Sequence, residues 1–484
     1  MEIKSLLFEN TSPRQIVFKN IFWLYFSNII SKFFKFFLVV YAARILGPAS
    51  YGAFNYALYL VGIFFMFSDL GIGPLLTREY QKEEVDKNKL ISTSLILRTI
   101  LVLVAAIVAI FFYFFVQDPL VKTIYIVLLL MMIVSNGREF FIALSRANNK
   151  MEYESSASML EVALTTILGL FFLVKTGSLY YFALAYLIGS LASFLYMFFM
   201  TLQYIPRVTF FGFDTAKKMI ILSTPFAFGA IIGTLLGTTD VVMIKWLRNA
   251  EMVGQYSVGL KIIQLLFVVV GVFATTLYPI FSKFAEDKDR VARILKSSSS
   301  YILMLAIPLF FGGILLSDRL IVGFFGEQYQ YGVLAFKILM GMIPIYFMIT
   351  ILDVLLLAMN YQVKNMIYTA IAAVSNVVLC FFLIAKFSIY GAAAATIIAQ
   401  LINLSLTYRL SRKILNQGFI EISAILKYII AGILMAIFLF LINPIQISTF
   451  AIMLLAVILY FLILAIEREK NFIYLFEILK KTTK

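Results

Sequence analysis

Long apolar segments alternate with short polar segments along almost the whole of this 484-residue chain. An α-helix needs about 20 apolar residues to cross the hydrocarbon core of a lipid bilayer. Fourteen such runs are present, centred near residues 32, 64, 103, 131, 167, 190, 232, 268, 311, 345, 376, 399, 434 and 457. The pattern predicts an all-α integral membrane protein with about 14 transmembrane helices.

Basic residues in the connections between these runs predict how the chain is oriented. With a cytoplasmic amino terminus, the cytoplasmic segments hold 28 Lys and Arg residues and the outer connections hold 7. Such an excess marks the cytoplasmic loops of membrane proteins. We therefore expect a multi-pass protein of the cell membrane with both termini in the cytoplasm. Five further basic residues lie inside the apolar runs: Lys32, Lys35, Arg98, Lys261 and Lys337.

The composition agrees with this interpretation and excludes several classes of function. Hydrophobic residues make up 62% of the chain, charged residues 13%, and the mean hydropathy is +0.98. The net charge of +15 follows from the basic cytoplasmic segments, which suit anionic lipids, so we expect no nucleic-acid partner. There is no histidine, a single cysteine (Cys380), and no connection much longer than about 20 residues. We therefore predict no catalytic residues, no metal site and no cofactor.

A short repeated pattern indicates an internal duplication. Gly52 in "YGAFNYALYLVG" and Gly254 in "VGQYSVGLKIIQ" are each followed at equal distances by an aromatic, a small residue and Leu, at an offset of 202 residues. Transporter folds are commonly built from such repeats, with the binding site between them. The predicted organisation is a cytoplasmic tail (1–20), a six-helix bundle (21–201), a cytoplasmic linker (202–216), a second six-helix bundle (217–409), two extra helices (425–466) and a basic cytoplasmic tail (467–484).

The stretch "AARILGPASYGAFNYALYLVGIFFMFSDLGIGPLLTRE" resembles the amino-terminal signature of Wzx-type polysaccharide flippases, in the multidrug/oligosaccharidyl-lipid/polysaccharide exporter superfamily. The matching elements are Arg44, Leu46-Gly47, Tyr51-Gly52, Asp69-Leu70-Gly71 and Arg78. Later segments, "TTDVVMIKWLRNAEMVGQYSVGLKI", "LYPIFSKFAED" and "IYGAAAATIIAQ", are also similar to that family. The resemblance implies two six-helix bundles facing each other in a V, two extra carboxy-terminal helices, and translocation of a lipid-linked oligosaccharide by alternating access.

Charged residues within the apolar runs need partners or a watery cavity, because a charge at a helix centre costs about 2.5 to 3.5 kcal/mol. Asp69 lies 14 residues before the turn near Glu83 and Arg98 lies 15 after it, so the two match in depth. Asp69 then has three roles open to it: an ion pair with Arg98, a brace for the broken helix at residues 71–74, or contact with a coupling cation. The same count, about the turn near Glu251, pairs Asp240 with Lys261.

The remaining buried lysines predict an anion site. Lys32, Lys35 and Asn28 share one helix face, and the facing depths of run two, residues 60–66, contain no acid. Lys337 likewise lacks a matched acid on its hairpin neighbours, while Asp353 lies deeper. These positions, with Lys261, form a candidate cavity for a pyrophosphate. The alternatives are snorkelling of Lys261 and Lys337 to the interface, and pairing of the other lysines with an acid brought close by packing.

Uncharged residues suggest a hinge and further polar contacts. Gly229, Gly233 and Gly237 share one face of run seven beyond Pro225. Small residues at this spacing indicate either close helix packing or, with the proline, a bend used in gating. Asn376 and Gln400 in runs eleven and twelve suit hydrogen bonds to sugars or to neighbouring helices.

We expect a monomeric flippase, and not an enzyme, that moves a polyprenyl-pyrophosphate-linked oligosaccharide from the cytoplasmic to the outer leaflet. A coupling cation is a candidate second partner. One rival is a cation-coupled multidrug exporter of the same superfamily, although those carry an acid on the first helix where this chain has Lys32 and Lys35. The other is a membrane glycan polymerase or glycosyltransferase, which needs a larger outer loop than the one around "SDRLIVGFFGEQYQYG".

Overall fold

The computed structural model describes residues 13–205, 211–442, 448–467 and 469. Residues 1–12 of the predicted tail, 206–210 of the predicted linker and nearly all of the predicted tail at 467–484 lie outside this range. The described residues form fifteen α-helices and two short 3-10 turns, and no strand. The helices are α1 Pro13–Phe65, α2 Ile72–Glu79, α3 Lys87–Tyr113, α4 Pro119–Ala147, α5 Met151–Thr176, α6 Leu179–Thr201, α7 Phe213–Leu247, α8 Ala250–Lys283, α9 Lys288–Leu315, α10 Ser317–Phe325, α11 Gly332–Met340, α12 Met342–Ala358, α13 Gln362–Leu415, α14 Ile422–Ile442 and α15 Thr449–Ile466.

Eleven helical segments within the described residues are long and apolar enough to cross a membrane, with α11 and α12 together forming one of them. Helix α13 is one of the eleven, but its 54 residues would span roughly 80 Å, far more than one crossing needs. It is broken at Ser388 and therefore supplies two crossings. Helix α1, which is not among the eleven, has 53 residues, is broken at Gly47 and supplies two more. The total of fourteen confirms the predicted all-α membrane fold.

Both breaks have local causes. Gly47 adopts a φ of 73°, and the following Pro48 offers no N–H to continue the helix. Ser388 adopts a φ of 54° and a ψ of −136°, which interrupts the hydrogen-bond ladder of α13. The guanidinium of Arg248 donates to the carbonyl oxygens of Ile384 and Ala385, at 3.0 and 2.7 Å, just before this break. The arginine thus caps the first half of α13 from outside the helix.

The chain divides into two compact units. The first holds the chain as far as Lys245 together with Asn249–Gly254, and the second holds Trp246–Arg248 and the chain from Gln255 onward. The first unit has an apolar core that includes Leu76, Leu144 and Met197, each fully buried. A smaller cluster in the second unit joins Leu356 to Leu410 and Ile414. The limits predicted for the six-helix bundles remain predictions.

The two glycines of the repeated pattern contact each other in the first unit. A Cβ atom on Gly52 would lie 1.8 Å from the carbonyl oxygen of Ala250 and 2.6 Å from the backbone nitrogen of Gly254. A Cβ atom on Gly254 would lie 2.0 Å from the carbonyl oxygen of Pro48. Only glycine fits at both positions without a backbone shift. The repeated glycines therefore mark a close backbone approach between the second half of α1 and the start of α8.

Candidate functional site

Asp69 lies in the gap between α1 and α2, where the second apolar run is interrupted. Leu70 and Gly71 adopt left-handed φ values of 42° and 75°, and α2 begins at the next residue. The Asp69 carboxylate accepts a hydrogen bond from the Gly73 N–H at 3.1 Å, which satisfies a backbone donor at the start of α2. The same oxygen lies 3.2 Å from Nη1 of Arg98. One carboxylate thus makes both the ion pair and the brace.

Arg98 extends this contact to a third helix. Its residue is only 3% exposed, and Nη2 donates to the carbonyl oxygen of Asn136 in α4 at 3.1 Å. The Asn136 side chain accepts a hydrogen bond from Ser68, the residue before Asp69. The guanidinium, carried by α3, therefore joins the segment between α1 and α2 to α4 through partly buried hydrogen bonds, which are expensive to leave unmade.

A second charged group, which the pattern of apolar runs did not predict, lies two residues further along α4. Arg138 forms an ion pair with Glu161 of α5 and donates to Ser193 of α6 at 3.2 Å. Glu161 also accepts a hydrogen bond from Ser190 at 3.3 Å, and Arg138 lies 3.1 Å from Glu139. The topology count placed Arg138 in a connection. Depth counting would have found the pair, because Arg138 lies 11 residues before Asn149 and Glu161 lies 12 after it.

We call these five residues, Asp69, Arg98, Arg138, Glu139 and Glu161, the charged cluster of the first unit. Its arginine side chains are 4% and 13% exposed, whereas the carboxylates of Asp69, Glu139 and Glu161 are 34%, 47% and 25% exposed. Arg98 also interacts electrostatically with Glu139, which links the two groups. With every member ionised the cluster carries one net negative charge. Its accessible side therefore presents carboxylate oxygens and suits a cation.

The predicted lysine face lies on α1 in the first unit. Asn28, Lys32 and Lys35 are all exposed, at positions one helical turn apart. Large apolar side chains flank them, with Phe33 58% and Phe37 44% exposed. Lys32 makes no ion pair with any acid in the described part of the chain. The face combines positive charge with apolar surface.

The expectation that Lys337 has no acid on its hairpin neighbours is wrong. Its Nζ lies 3.1 Å from Oδ2 of Asp318, with both side chains partly exposed. Asp318 lies in the first turn of α10, a short helix within what the sequence indicated as an outer loop. Depth counting along apolar runs leaves such a helix out, so it could not find this acid.

The other predicted charges are distributed over both units. Asp240 is buried in the first unit and accepts a hydrogen bond from the Val241 N–H at 2.8 Å. Lys261 is half-buried in the second unit, so their pairing stays a prediction. Asp353, also in the second unit, accepts a hydrogen bond from Asn365 of α13 at 3.0 Å. The structure therefore brings Asp69 to Arg98 and gives Asp353 an amide partner.

Helix α7 continues through Pro225 without a break. Cβ atoms placed on Gly229, Gly233 or Gly237 would meet no atom of the described residues within 4 Å. Among those residues, therefore, no helix packs closely on this face of α7. The hinge at Pro225, Gly229 and Gly233 stays a prediction.

Two predicted polar residues are buried in α13 of the second unit. Asn376 accepts a weak hydrogen bond from Cys380 at 3.5 Å, and its Nδ2 has no partner among the described residues. Gln400 is 4% exposed. Buried amides of this kind normally find partners, so both positions are suited to contacts that tie helices together.

Asp118 forms a further ion pair, with Lys245, that the pattern of apolar runs does not predict. It precedes α4 and pairs with Lys245 near the end of α7. Burial raises the pKa of the Asp118 carboxyl, but the hydrogen bond and charge of Lys245, with the N–H groups of Leu120 and Val121, outweigh it and hold the pKa below its ordinary value. The pair fastens two helix ends of the first unit to each other.

Comparison with known proteins shows the family to which the sequence belongs. The sequence model of the polysaccharide biosynthesis protein family matches residues 17–285, more than half of the chain. The probable low-salt glycan biosynthesis flippase Agl15 of Haloferax volcanii is 22% identical over 386 residues, which cover 78% of this chain and 80% of that protein.

Solved structures show the same fold at low sequence identity. The lipid II flippase MurJ, in an inward closed conformation, has a TM-score of 0.77 at 17% identity, covering 92% of this chain and 98% of that chain. An inward-facing MATE family multidrug resistance transporter of the MOP superfamily has a TM-score of 0.69 at 14% identity, covering 82% and 98%. The fold and the family match confirm the resemblance found in the sequence, and the chain belongs to the polysaccharide biosynthesis protein family.

Proposed function

We propose that this protein is a flippase, not an enzyme, that moves a polyprenyl-pyrophosphate-linked oligosaccharide from the cytoplasmic to the outer leaflet of the cell membrane by alternating access. The observation that carries the proposal is the family match over residues 17–285 in a multi-pass helical protein. The similarity to a glycan biosynthesis flippase and to a lipid II flippase supports it. We further propose that it acts as a monomer with cytoplasmic termini.

The lysine face supplies the chemistry for the charged part of the substrate. A pyrophosphate is a diffuse multiple anion, and the ammonium groups of Lys32 and Lys35 lie on flexible stems that can follow it. The exposed phenylalanines beside them offer apolar surface to a polyprenyl chain. Such contacts drive a conformational change only if they are stronger in one state than in another. We propose that the lysines bind the substrate more tightly in the protein conformation that precedes translocation than in the other conformations of the cycle.

The charged cluster of the first unit supports cation coupling. Three carboxylates exceed two arginines there, and the carboxylates are the accessible members. A proton or a monovalent cation would remove the excess negative charge. This feature also suits the rival function, a cation-coupled drug exporter, so transport assays must test both substrate classes.

The proposal is tested by deleting the gene in its host and identifying the lipids that accumulate. We expect a lipid-linked glycan on the cytoplasmic side, which the wild-type gene clears. The Lys32→Gln, Lys35→Gln double variant should fail to clear it at near-normal protein abundance, and the double arginine variant should fail less, because charge is kept. Lys175→Gln, an exposed lysine at the end of α5, is the matched control and should behave as wild type.

Two results would overturn parts of the proposal. If no lipid-linked glycan accumulates and the deletion strain becomes sensitive to drugs, the protein is an exporter. If the double glutamine variant is abundant and clears the glycan, the lysine face does not bind the pyrophosphate. Loss of the protein in that variant would instead assign the lysines a structural role.

A further inference from the structure

An open groove with a volume of about 560 Å³ lies along the last turns of α13 in the second unit. Its lining residues are Ser405, Tyr408, Arg409, Arg412, Lys413 and Asn416. The volume is in the range of small-molecule binding sites. Three of the six lining residues are cationic and none is acidic, so the chemistry of the groove is that of an anion site.

The groove occupies one face of the helix. Ser405, Arg409, Arg412 and Asn416 recur at the spacing of helical turns and are exposed. The opposite face, which includes Leu410 and Ile414, is buried against Leu356 of α12. The cations are therefore directed away from the packed interior of the second unit.

The cations of the groove have no acidic partners in the described part of the chain. Neither Arg409, Arg412 nor Lys413 forms an ion pair there. The acids that approach this end are already engaged: Glu421 lies 3.6 Å from Lys296, and Asp289 accepts a hydrogen bond from Gln417 at 3.0 Å. Among the described residues, therefore, no acid balances these three positive charges, and the groove is open to an external anion.

The position of the groove along the helix indicates where the anion comes from. Arg412 and Lys413 lie in the last turn of α13, and Arg409 lies less than two turns from its end at Leu415, or roughly 9 Å. Tyr408, which packs on Phe419 with ring centroids 5.0 Å apart, is of a residue type that is enriched at the membrane–water interface. The groove therefore lies at the end of α13 that is predicted to be cytoplasmic, where lipid headgroups are expected. Clusters of basic residues at this depth bind anionic headgroups.

We propose that this groove binds the phosphate group of an anionic lipid headgroup, held by Arg409, Arg412 and Lys413. Arginine forks suit two phosphate oxygens at once, and the amide of Asn416 can donate a neutral hydrogen bond at one end of the groove. The site is separate in sequence and in unit from the lysine face on α1. It would bind a resident lipid and not the transported substrate.

The test is binding of defined lipids to the full-length protein in detergent, read by native mass spectrometry and by thermal unfolding. Short-chain phosphatidylglycerol is the anionic probe, phosphatidylcholine the zwitterionic one, and inorganic pyrophosphate the soluble source of the same chemistry. We expect phosphatidylglycerol to bind and to raise the unfolding temperature. Its affinity should fall tenfold or more in the Arg409→Gln, Arg412→Gln double variant, because each basic residue near an anionic lipid contributes appreciably to the free energy of binding.

A matched control separates the groove from general positive charge. Lys288→Gln, Arg293→Gln removes two exposed cations from the start of α9, at the same predicted membrane side but outside the groove. This variant should bind phosphatidylglycerol as wild type does, and Arg409→Lys, Arg412→Lys should retain part of the binding. Equal loss in both glutamine variants would overturn the proposal, as would binding of phosphatidylcholine with the same affinity. If pyrophosphate binds in the groove and phosphatidylglycerol does not, the ligand is a soluble phosphate and the lipid assignment is wrong.

Discussion

The Asp69 carboxylate explains why an apolar segment keeps an acid. It accepts a backbone hydrogen bond at the start of α2 and pairs with Arg98, which is 3% exposed. A buried ion pair contributes little net stability, but removal of one partner leaves an uncompensated charge. Asp69 and Arg98 are therefore best understood as a unit whose halves depend on each other.

Asp69→Asn should lower the free energy of unfolding by about 3 kcal/mol, because it leaves the Arg98 guanidinium buried without its carboxylate. Adding Arg98→Met should restore part of that loss. The measurement is thermal unfolding of the purified protein, with Arg78→Gln as the control. Arg78 is 50% exposed in its pair with Glu79, so its loss should cost less than about 1 kcal/mol. A double variant no more stable than Asp69→Asn alone would show that the two residues are not energetic partners.

Helix ends and breaks, more than helix centres, determine how these elements meet. Gly52 and Gly254 allow backbone contact between the second half of α1 and the start of α8. On α7, by contrast, Cβ atoms on Gly229 and Gly233 would meet no described atom within 4 Å. Glycines in similar sequence surroundings thus have opposite structural roles, which follow from what lies across from them.

Alanine substitution should separate these two classes of glycine. Gly254→Ala places a Cβ atom 2.0 Å from the Pro48 carbonyl oxygen and should cost about 1 to 3 kcal/mol through overpacking. Gly233→Ala meets no neighbour and should be neutral or stabilising by up to about 1 kcal/mol, since alanine favours the helix. Unfolding temperatures of the two variants test this, and equal destabilisation would contradict it. If Gly233→Ala is stable but transports slowly, the hinge on α7 is supported.

The break in α13 predicts a stabilising substitution. Ser388 has a φ of 54° and a ψ of −136°, a conformation that costs an L-residue about 1 to 2 kcal/mol and glycine very little. Ser388→Gly should therefore raise the free energy of unfolding by about 1 kcal/mol after the entropy of the unfolded glycine is subtracted. Ser375→Gly, at a regular position of the same helix, should lower it by a similar amount. A loss of stability in Ser388→Gly would mean that the serine side chain is needed at the break.

Across the described part of the molecule, ten unbroken apolar helical segments and the two broken helices α1 and α13 account for fourteen crossings. An even number of crossings places both termini on one side of the membrane. The basic-residue count predicts that this side is the cytoplasm. This orientation decides which leaflet the groove on α13 faces and in which direction a substrate is flipped.

Single cysteines test the orientation. The native Cys380 is fully buried, so wild type should not react with a membrane-impermeant thiol reagent and serves as the control. In a Cys380→Ala background, Thr176→Cys and Glu327→Cys should be labelled in intact cells, whereas Glu84→Cys and Lys288→Cys should be labelled only after the membrane is opened. All four positions are exposed. Reproducible labelling of Glu84→Cys in intact cells would contradict the fourteen-crossing arrangement.

The sequence by itself determined the membrane class, the number of helices and the family resemblance, because these depend on local hydrophobicity and short motifs that need no partner. It also found Asp69 and Arg98, since a tight hairpin makes depth a function of sequence distance. Only the tertiary structure showed that Asp318 reaches Lys337, that Arg138 also binds Ser193 of α6, and that Gly52 closely approaches Ala250 while a Cβ atom on Gly233 would meet no described atom within 4 Å. Such contacts depend on how helices pack side by side, and hydrophobic periodicity does not specify which neighbour each face receives.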